Sequence, residues 1–205
     1  MPLRDPARVW RRRLVAALVL LLAGASTAAP VGQQPIDQSA AIDAVFDRLA
    51  GKGAQQARFH ELRRLRHLDT PIESTGELVF EPPDRLEKRT LNPIRETLRL
   101  SGTQMSITIN DITRELPMDA LPAAGALAGA LRGLLAGRRA DVEQHFLIAI
   151  TLDEPDWTLQ LTPGSARIEA AIRRLDVSGR GGTIRSIGIV QGNGDESQMQ
   201  ILSQP

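Results

Sequence analysis

The chain has 205 residues, with 25 Lys and Arg against 24 Asp and Glu, no Cys and no Tyr. This length allows one domain or at most two small ones, and a formal charge of +1 gives no electrostatic footprint for nucleic acid. The lack of Cys excludes disulfides, thiolate catalysis and zinc sites of the Cys type, and a hydrophobic content of 42% excludes a disordered chain.

The N-terminus has the three zones of a secretory signal peptide. Five Arg precede an apolar run over residues 14–25, and small residues follow the run. The run has 12 residues, whereas a helix that spans a bilayer needs roughly 20, so the length favours a cleaved signal over an uncleaved membrane anchor. We therefore expect a periplasmic protein with a signal peptide over 1–28, a flexible lead-in over 29–38 and one domain over 39–205.

Two segments before residue 70 have helical features. In residues 39–50, apolar residues recur at spacings of three and four, which predicts an amphipathic helix with Ser39 as its N-cap and Gly51 just after its end. Residues 56–69 are ambiguous: they repeat apolar residues every third position and are rich in helix formers, so local rules lean towards helix there.

From Thr75 onward the apolar period shifts towards two. Leu78 and Phe80 share one face of a predicted strand, and Leu98 and Leu100 share a face of another. Further alternating runs lie at 105–109, 146–152, 157–161, 168–177, 183–190 and 197–202. Short alternating runs broken by Pro, Gly, Asn and Asp predict an antiparallel sheet or barrel, and the Gly/Asn-rich stretch at 190–195 predicts a hairpin turn.

One apolar segment interrupts the strands. Residues 119–139 contain mostly Ala, Leu and Gly, which predicts a helix weakened by three internal Gly at roughly 1 kcal/mol each relative to Ala. A helix that is apolar nearly all round must be buried, and an intrinsically weak helix can also move. A core helix that never moves fits the sequence equally well.

The sequence contains no catalytic or metal-binding constellation. His60, His67 and His145 are the only imidazoles, and their spacing does not make a helical metal pair. Ser165 lacks the flanking glycines of a nucleophile elbow. We therefore expect a protein that is not an enzyme, with no catalytic residue, no metal and no cofactor.

Several segments together resemble a known family. They are a Gly-x-Leu-x-Phe-x-x-Pro run at 76–83, Asn92-Pro93, the apolar mid-chain segment, His145-Phe146 and a Trp-x-Leu-x-Leu-x-Pro run at 157–163. Over residues 39–203 the chain resembles the LolA-like family of periplasmic outer-membrane lipoprotein carriers. The resemblance implies a mainly β (α+β) fold, an incomplete antiparallel β-barrel with a helical lid over an apolar concave face. It also implies that residues 57–68 form the first strand.

The resemblance implies a function as well. The protein would carry the acyl chains of lipoproteins, or another lipid or glycolipid, towards the outer membrane. It would act as a monomer that receives its cargo from an inner-membrane donor transporter and delivers it to an outer-membrane receptor. The alternative is a lipid-responsive periplasmic sensor or regulatory module with the same half-barrel.

For the site, we expect a sheet with one face packed on the helix at 39–50 and the other face lining a cavity under the helix at 119–137. The expected lid residues are Leu121, Leu127, Leu131 and Leu134. The expected cavity lining is Leu78, Phe80, Leu98, Leu100, Met105, Ile107, Ile148, Ile150, Trp157, Leu159 and Leu161.

One position departs from the family pattern. LolA proteins commonly have an Arg before the Pro that ends the second strand, and this Arg hydrogen-bonds to the lid. Here that position is Pro82, so the lid contact cannot form in its usual way. This favours a specialised carrier over standard lipoprotein hand-over.

Overall fold

The computed structural model describes residues 37–202, in which 11 strands form one antiparallel sheet accompanied by four α-helices. The signal peptide expected over 1–28 and most of the lead-in lie outside the described residues. The helices are α1 Gln38–Leu49, α2 Pro122–Ala136, α3 Arg139–Glu143 and α4 Ala166–Glu169, with a short 3-10 helix at Met118–Ala120. The strands are β1 Gln55–Arg64, β2 Ile72–Glu81, β3 Arg85–Asn92, β4 Glu96–Ser101, β5 Gln104–Ile109, β6 Ile112–Pro117, β7 Phe146–Asp153, β8 Asp156–Pro163, β9 Ile172–Arg180, β10 Thr183–Gln191 and β11 Glu196–Leu202.

The strands follow the order β6-β5-β4-β3-β2-β1-β11-β10-β9-β8-β7. The two halves of the chain each form a meander, and the pairing of β1 with β11 joins them, from Arg58 opposite Leu202 to Arg64 opposite Glu196. Strands β6 and β7 stand at the two ends of this order, so the sheet is open between them. Within residues 37–202, no helix has the length and apolar character needed to cross a membrane.

The sheet curves around helix α2. This helix shares one core with β8, through Ala126 and Ala130, and a second core with β5, through Ala128 against Met105. At about 4.8 Å between neighbouring strands, β5 and β8 would lie roughly 40 Å apart in a flat sheet. Only a strongly curved sheet can bring both strands to one helix about 10 Å across.

Helices α1 and α2 lie on the same side of the sheet. Phe46 of α1 and Leu134 of α2 belong to one core with Trp157 of β8. The expectation that the two helices cover opposite faces is therefore wrong. The other face of the sheet is exposed, as Leu147 of β7 shows with 68% of its surface accessible, and isolated exposed leucines need no cover.

The ends of the helices follow the expected rules, with one correction. Asp37, not Ser39, is the N-cap of α1, because its carboxylate accepts hydrogen bonds from the backbone N–H groups of Ser39 and Ala40 at 3.0 and 3.3 Å. Helix α2 begins with Pro122 and is capped after Ala136 by Gly137, whose φ of +68° suits glycine.

The ambiguous segment at 56–69 is mainly a strand. Residues 55–63 pair with β2 on one side, and residues 58–64 pair with β11 on the other. These two ladders satisfy the backbone groups of β1 and override its local helix propensity. The hairpin predicted at 190–195 is confirmed between β10 and β11, whereas β3 and β6 were not predicted as strands.

Two glycines of α2 differ in the space around them. An added Cβ at Gly129 would meet only His145, at 3.8 Å. At Gly133 it would lie 2.9 Å from the carbonyl oxygen of Arg138 and 2.9 Å from Cγ2 of Val142. Gly133 is therefore required by the close approach of α3, and Gly129 is not.

We predict that Gly129→Ala raises the free energy of unfolding by about 0.5–1 kcal/mol, because alanine favours the helix and meets no obstacle. Gly133→Ala should lower this free energy, since the backbone of α3 must shift. Urea unfolding of the two variants measures both changes. Equal changes at the two positions would contradict this packing of α2.

Candidate functional site: an apolar cavity beneath helix α2

A cavity of about 540 Å³ lies between α2 and the sheet, within the roughly 300–1,000 Å³ of ligand pockets. Its wall comes from strands β1–β5, β10 and β11 on one side and from α2 on the other. Helix α2 presents residues at helical spacings of three and four to the cavity: Ala124, Leu127, Ala128, Leu131 and Leu135.

Seven of the residues expected at the site line this cavity. They share the inner face of β2, β4 and β5 or the lower face of α2: Leu78, Phe80, Leu98, Leu100, Met105, Leu127 and Leu131. The same wall contains further apolar residues that the sequence pattern does not single out, namely Leu49, Ala57, Val79, Leu86, Ile184, Ile187, Ile189, Met199 and Ile201. Alternation along β10 and β11 indicates that the isoleucines and Met199 face inward. Nothing in the local sequence shows that they line a cavity and not a packed core.

The other residues expected at the site lie elsewhere. Side chains of β7 and β8 pack into the core against α1 and do not line the cavity: Ile148, Ile150, Trp157, Leu159 and Leu161. Leu134 is fully buried in the same core, Ile107 packs beside the cavity, and Leu121 is exposed at the start of α2. The physical reason is that α1 fills the concave side over β7–β9, whereas over β2–β5 the alanines and leucines of α2 leave space between the helix and the sheet.

The apolar wall is interrupted by one buried polar group, which we call the polar pole and define as Glu61, Lys88, Ser74 and Ser197. Lys88 Nζ lies 2.5 Å from Glu61 Oε2, and Ser197 Oγ donates to Glu61 Oε1 at 2.5 Å. Ser74 Oγ donates to Oε2 at 3.3 Å. The Glu61 side chain is only 6% exposed, and Lys88 is 21% exposed.

The polar pole keeps Glu61 ionised. Burial by itself would raise the pKa of Glu61, but the charge of Lys88 and the hydrogen bonds from Lys88 and Ser197 together lower it below its ordinary value. Lys88 also lies over the ring of Phe59, with Nζ 5.0 Å from the ring centroid. A buried ion pair thus stands in a cavity whose polar lining residues outside the polar pole are exposed or half-buried: Lys52, Gln55, Gln56, Thr183 and Arg185.

Helix α2 is tied to the sheet by side-chain hydrogen bonds. Arg132 Nη1 donates to the carbonyl oxygen of Gly102 in the β4–β5 turn at 2.9 Å, and Gln55 Nε2 donates to the carbonyl oxygen of Leu135 at 3.2 Å. Pro82 lies exposed in the β2–β3 turn. An arginine thus connects α2 and the sheet, but it is Arg132 of the helix and not a residue at position 82 of the sheet.

The opposite side of α2 borders a second, more polar cavity of about 590 Å³, lined among others by Arg132, His145 and Arg167. Within residues 37–202, no three His, Cys, Asp or Glu side chains come together as metal ligands would.

The comparisons with known proteins agree with this architecture. Residues 34–204 match the family model described as outer membrane lipoprotein carrier protein LolA-like. The chain belongs to the LolA-like family. A comparison with curated proteins finds no match.

Three solved structures illustrate the similarity of this LolA-like chain to known folds. A LolA superfamily protein from Nitrosomonas europaea is 7% identical, with a TM-score of 0.42 over 82% of this chain and 94% of that one. A DUF1329 family protein from Desulfovibrio piger is 10% identical, with a TM-score of 0.43 over 80% and 90%. A putative outer membrane lipoprotein-sorting protein domain from Vibrio parahaemolyticus is 9% identical, with a TM-score of 0.41 over 80% and 89%.

We predict that protonation of Glu61 destabilises the fold in acid. Because folding lowers its pKa, the stability contributed by Glu61 is complete above the unfolded pKa of about 4.3 and is lost as the pH falls below that value. The free energy of unfolding of the wild type should therefore fall more steeply below about pH 5 than that of Glu61→Gln. Urea unfolding across this pH range gives both slopes, and parallel slopes would contradict the assignment.

Proposed function

We propose that this LolA-like protein binds the acyl chain of a lipoprotein or another lipid in the cavity beneath α2 and carries it towards the outer membrane. The observation that supports the proposal most strongly is a cavity of about 540 Å³ whose wall is mainly apolar on both the sheet and the helix side. Membership of the LolA-like family supports the same role. Binding, not catalysis, is the activity proposed.

The energetics favour such a cargo. Each CH₂ group moved from water to an apolar site contributes about 0.8 kcal/mol, so a chain of about 16 carbons gains on the order of 12 kcal/mol before the costs of ordering. Hydrogen bonds contribute far less, at about 1 kcal/mol each. A carrier of acyl chains therefore depends mainly on apolar surface that stays covered when no cargo is bound.

In this proposal the inner face of the sheet supplies one side of the acyl site and α2 supplies the other. The proposed contacts on the sheet are Leu78, Phe80, Leu98, Leu100 and Met105, and those on the helix are Leu127 and Leu131. The low aromatic content, 3% of the chain, suits a pliable hydrocarbon better than a rigid ring.

The proposed place of action is the periplasm, which the protein reaches through its N-terminal signal peptide. The proposed partners are an inner-membrane donor and an outer-membrane acceptor. The basic and apolar zones of residues 1–25 and the family both support this route.

We predict that Leu131→Glu weakens the binding of the neutral apolar dye N-phenylnaphthylamine at least about tenfold, because a carboxylate in the cavity must lose its water. The dye is titrated by fluorescence against each protein. Leu147→Glu is the matched control, since it makes the same change on the exposed outer face of β7. Dye binding that is equal in the two variants would overturn the assignment of the cavity, provided that both unfold at wild-type temperatures.

A further inference from the structure

The polar pole has no role in holding a plain hydrocarbon. Taking a Lys and a Glu out of water is costly, and well-packed apolar side chains would often serve stability as well or better. Apolar side chains would also give a hydrocarbon a better wall. Glu61 and Lys88 nevertheless stand among the aliphatic residues of the cavity, which points to a polar part of the ligand at this place.

The hydrogen bonds of the polar pole leave more donors than acceptors for a ligand. Glu61 receives hydrogen bonds from three side chains, which occupy most of its roughly four acceptor positions. Lys88 Nζ carries three N–H donors, and among residues 37–202 its one hydrogen-bond acceptor is Glu61. Lys88 therefore has N–H groups to offer to a molecule in the cavity.

The pairing of charges in the polar pole determines which kind of hydrogen-bond acceptor a ligand can place there. Glu61 and Lys88 together carry no net charge, so a carboxylate placed at Lys88 would also stand near the Glu61 anion. An uncharged carbonyl oxygen gains the hydrogen bond from the ammonium group without that repulsion. An ester or amide at the end of an acyl chain has such an oxygen.

We propose that Lys88 binds the ester or amide carbonyl of an acylated ligand, and that Glu61 holds Lys88 in place and disfavours free fatty acids. This assignment rests on the proposed function, because it names the class of acyl compound that the cavity accepts. The aliphatic wall takes the tail, and Lys88 recognises the link between the tail and its head group.

The test measures the displacement of N-phenylnaphthylamine by three compounds with the same tail: methyl laurate, dodecene and laurate. For the wild type we expect methyl laurate to bind about tenfold more tightly than dodecene, which corresponds to about 1.4 kcal/mol for the added hydrogen bond. The double variant Glu61→Gln with Lys88→Met leaves no unpaired charge, and it should bind the two compounds equally.

The single variant Glu61→Gln tests independently whether the charge of Glu61 disfavours free fatty acids. With the charge of Lys88 no longer neutralised, laurate should bind about tenfold more tightly than to the wild type. Arg174→Met is the control, since Arg174 forms an ion pair with Asp176 on an exposed stretch of β9; it should keep the wild-type ratios.

The binding results distinguish a failure of the proposed function from a failure of the role of Lys88. If neither the dye nor any of the three compounds binds the wild type, the proposed function is wrong. If the dye binds but methyl laurate and dodecene bind equally to the wild type, carriage stands and the role of Lys88 is overturned. A preference for methyl laurate that survives in the double variant overturns the role of Lys88 as well.

Discussion

The unequal filling of the curved sheet determines what this structure can do. Over β7–β9, helix α1 inserts Ile42, Val45 and Phe46, and the strands and helix close into a packed core. Over β2–β5, the sheet is covered mainly by α2, and the side chains that α2 turns towards it, such as Ala128 and Leu131, do not fill the same depth. The protein thus gains its stability from one half of the concave side and keeps space in the other half. The lower face of α2 also keeps this space covered.

Helix α2 is firmly attached to the rest of the fold, and this attachment affects how a ligand can be held. Leu134 is buried in the core, and Gly133 lies against the backbone of α3. Arg132 and Gln55 add hydrogen bonds between the helix and the sheet. The cavity exists with the helix in this position, so a tail can be held without displacement of α2. The arginine in this attachment, Arg132, comes from the helix and reaches the β4–β5 turn.

The sequence predicts the fold better than the site, for a physical reason. Alternation identifies inward-facing residues along β4 and β8, but Leu98 and Leu159 look alike locally, and only the helix packed above each strand decides that one lines the cavity and the other fills the core. Strand β3 escapes the pattern because Lys88 and Thr90 follow Leu86 on its inner face, so no apolar alternation appears. Strand β1 is predicted only through the family resemblance. Its own residues favour a helix, and the pairing with β2 and β11 makes it a strand. Glu61 lies on that strand, so the polar pole could not be found before the strand was placed.

The most direct measurement of the central claim is native mass spectrometry of the full chain expressed with its N-terminus and recovered under gentle conditions from the cell envelope. The account predicts an added mass that corresponds to an acylated lipid and is released when the protein is denatured. A protein that is recovered without any added mass, and that also fails to acquire one when incubated with envelope lipids, would contradict the claim that the space beneath α2 holds an acyl chain.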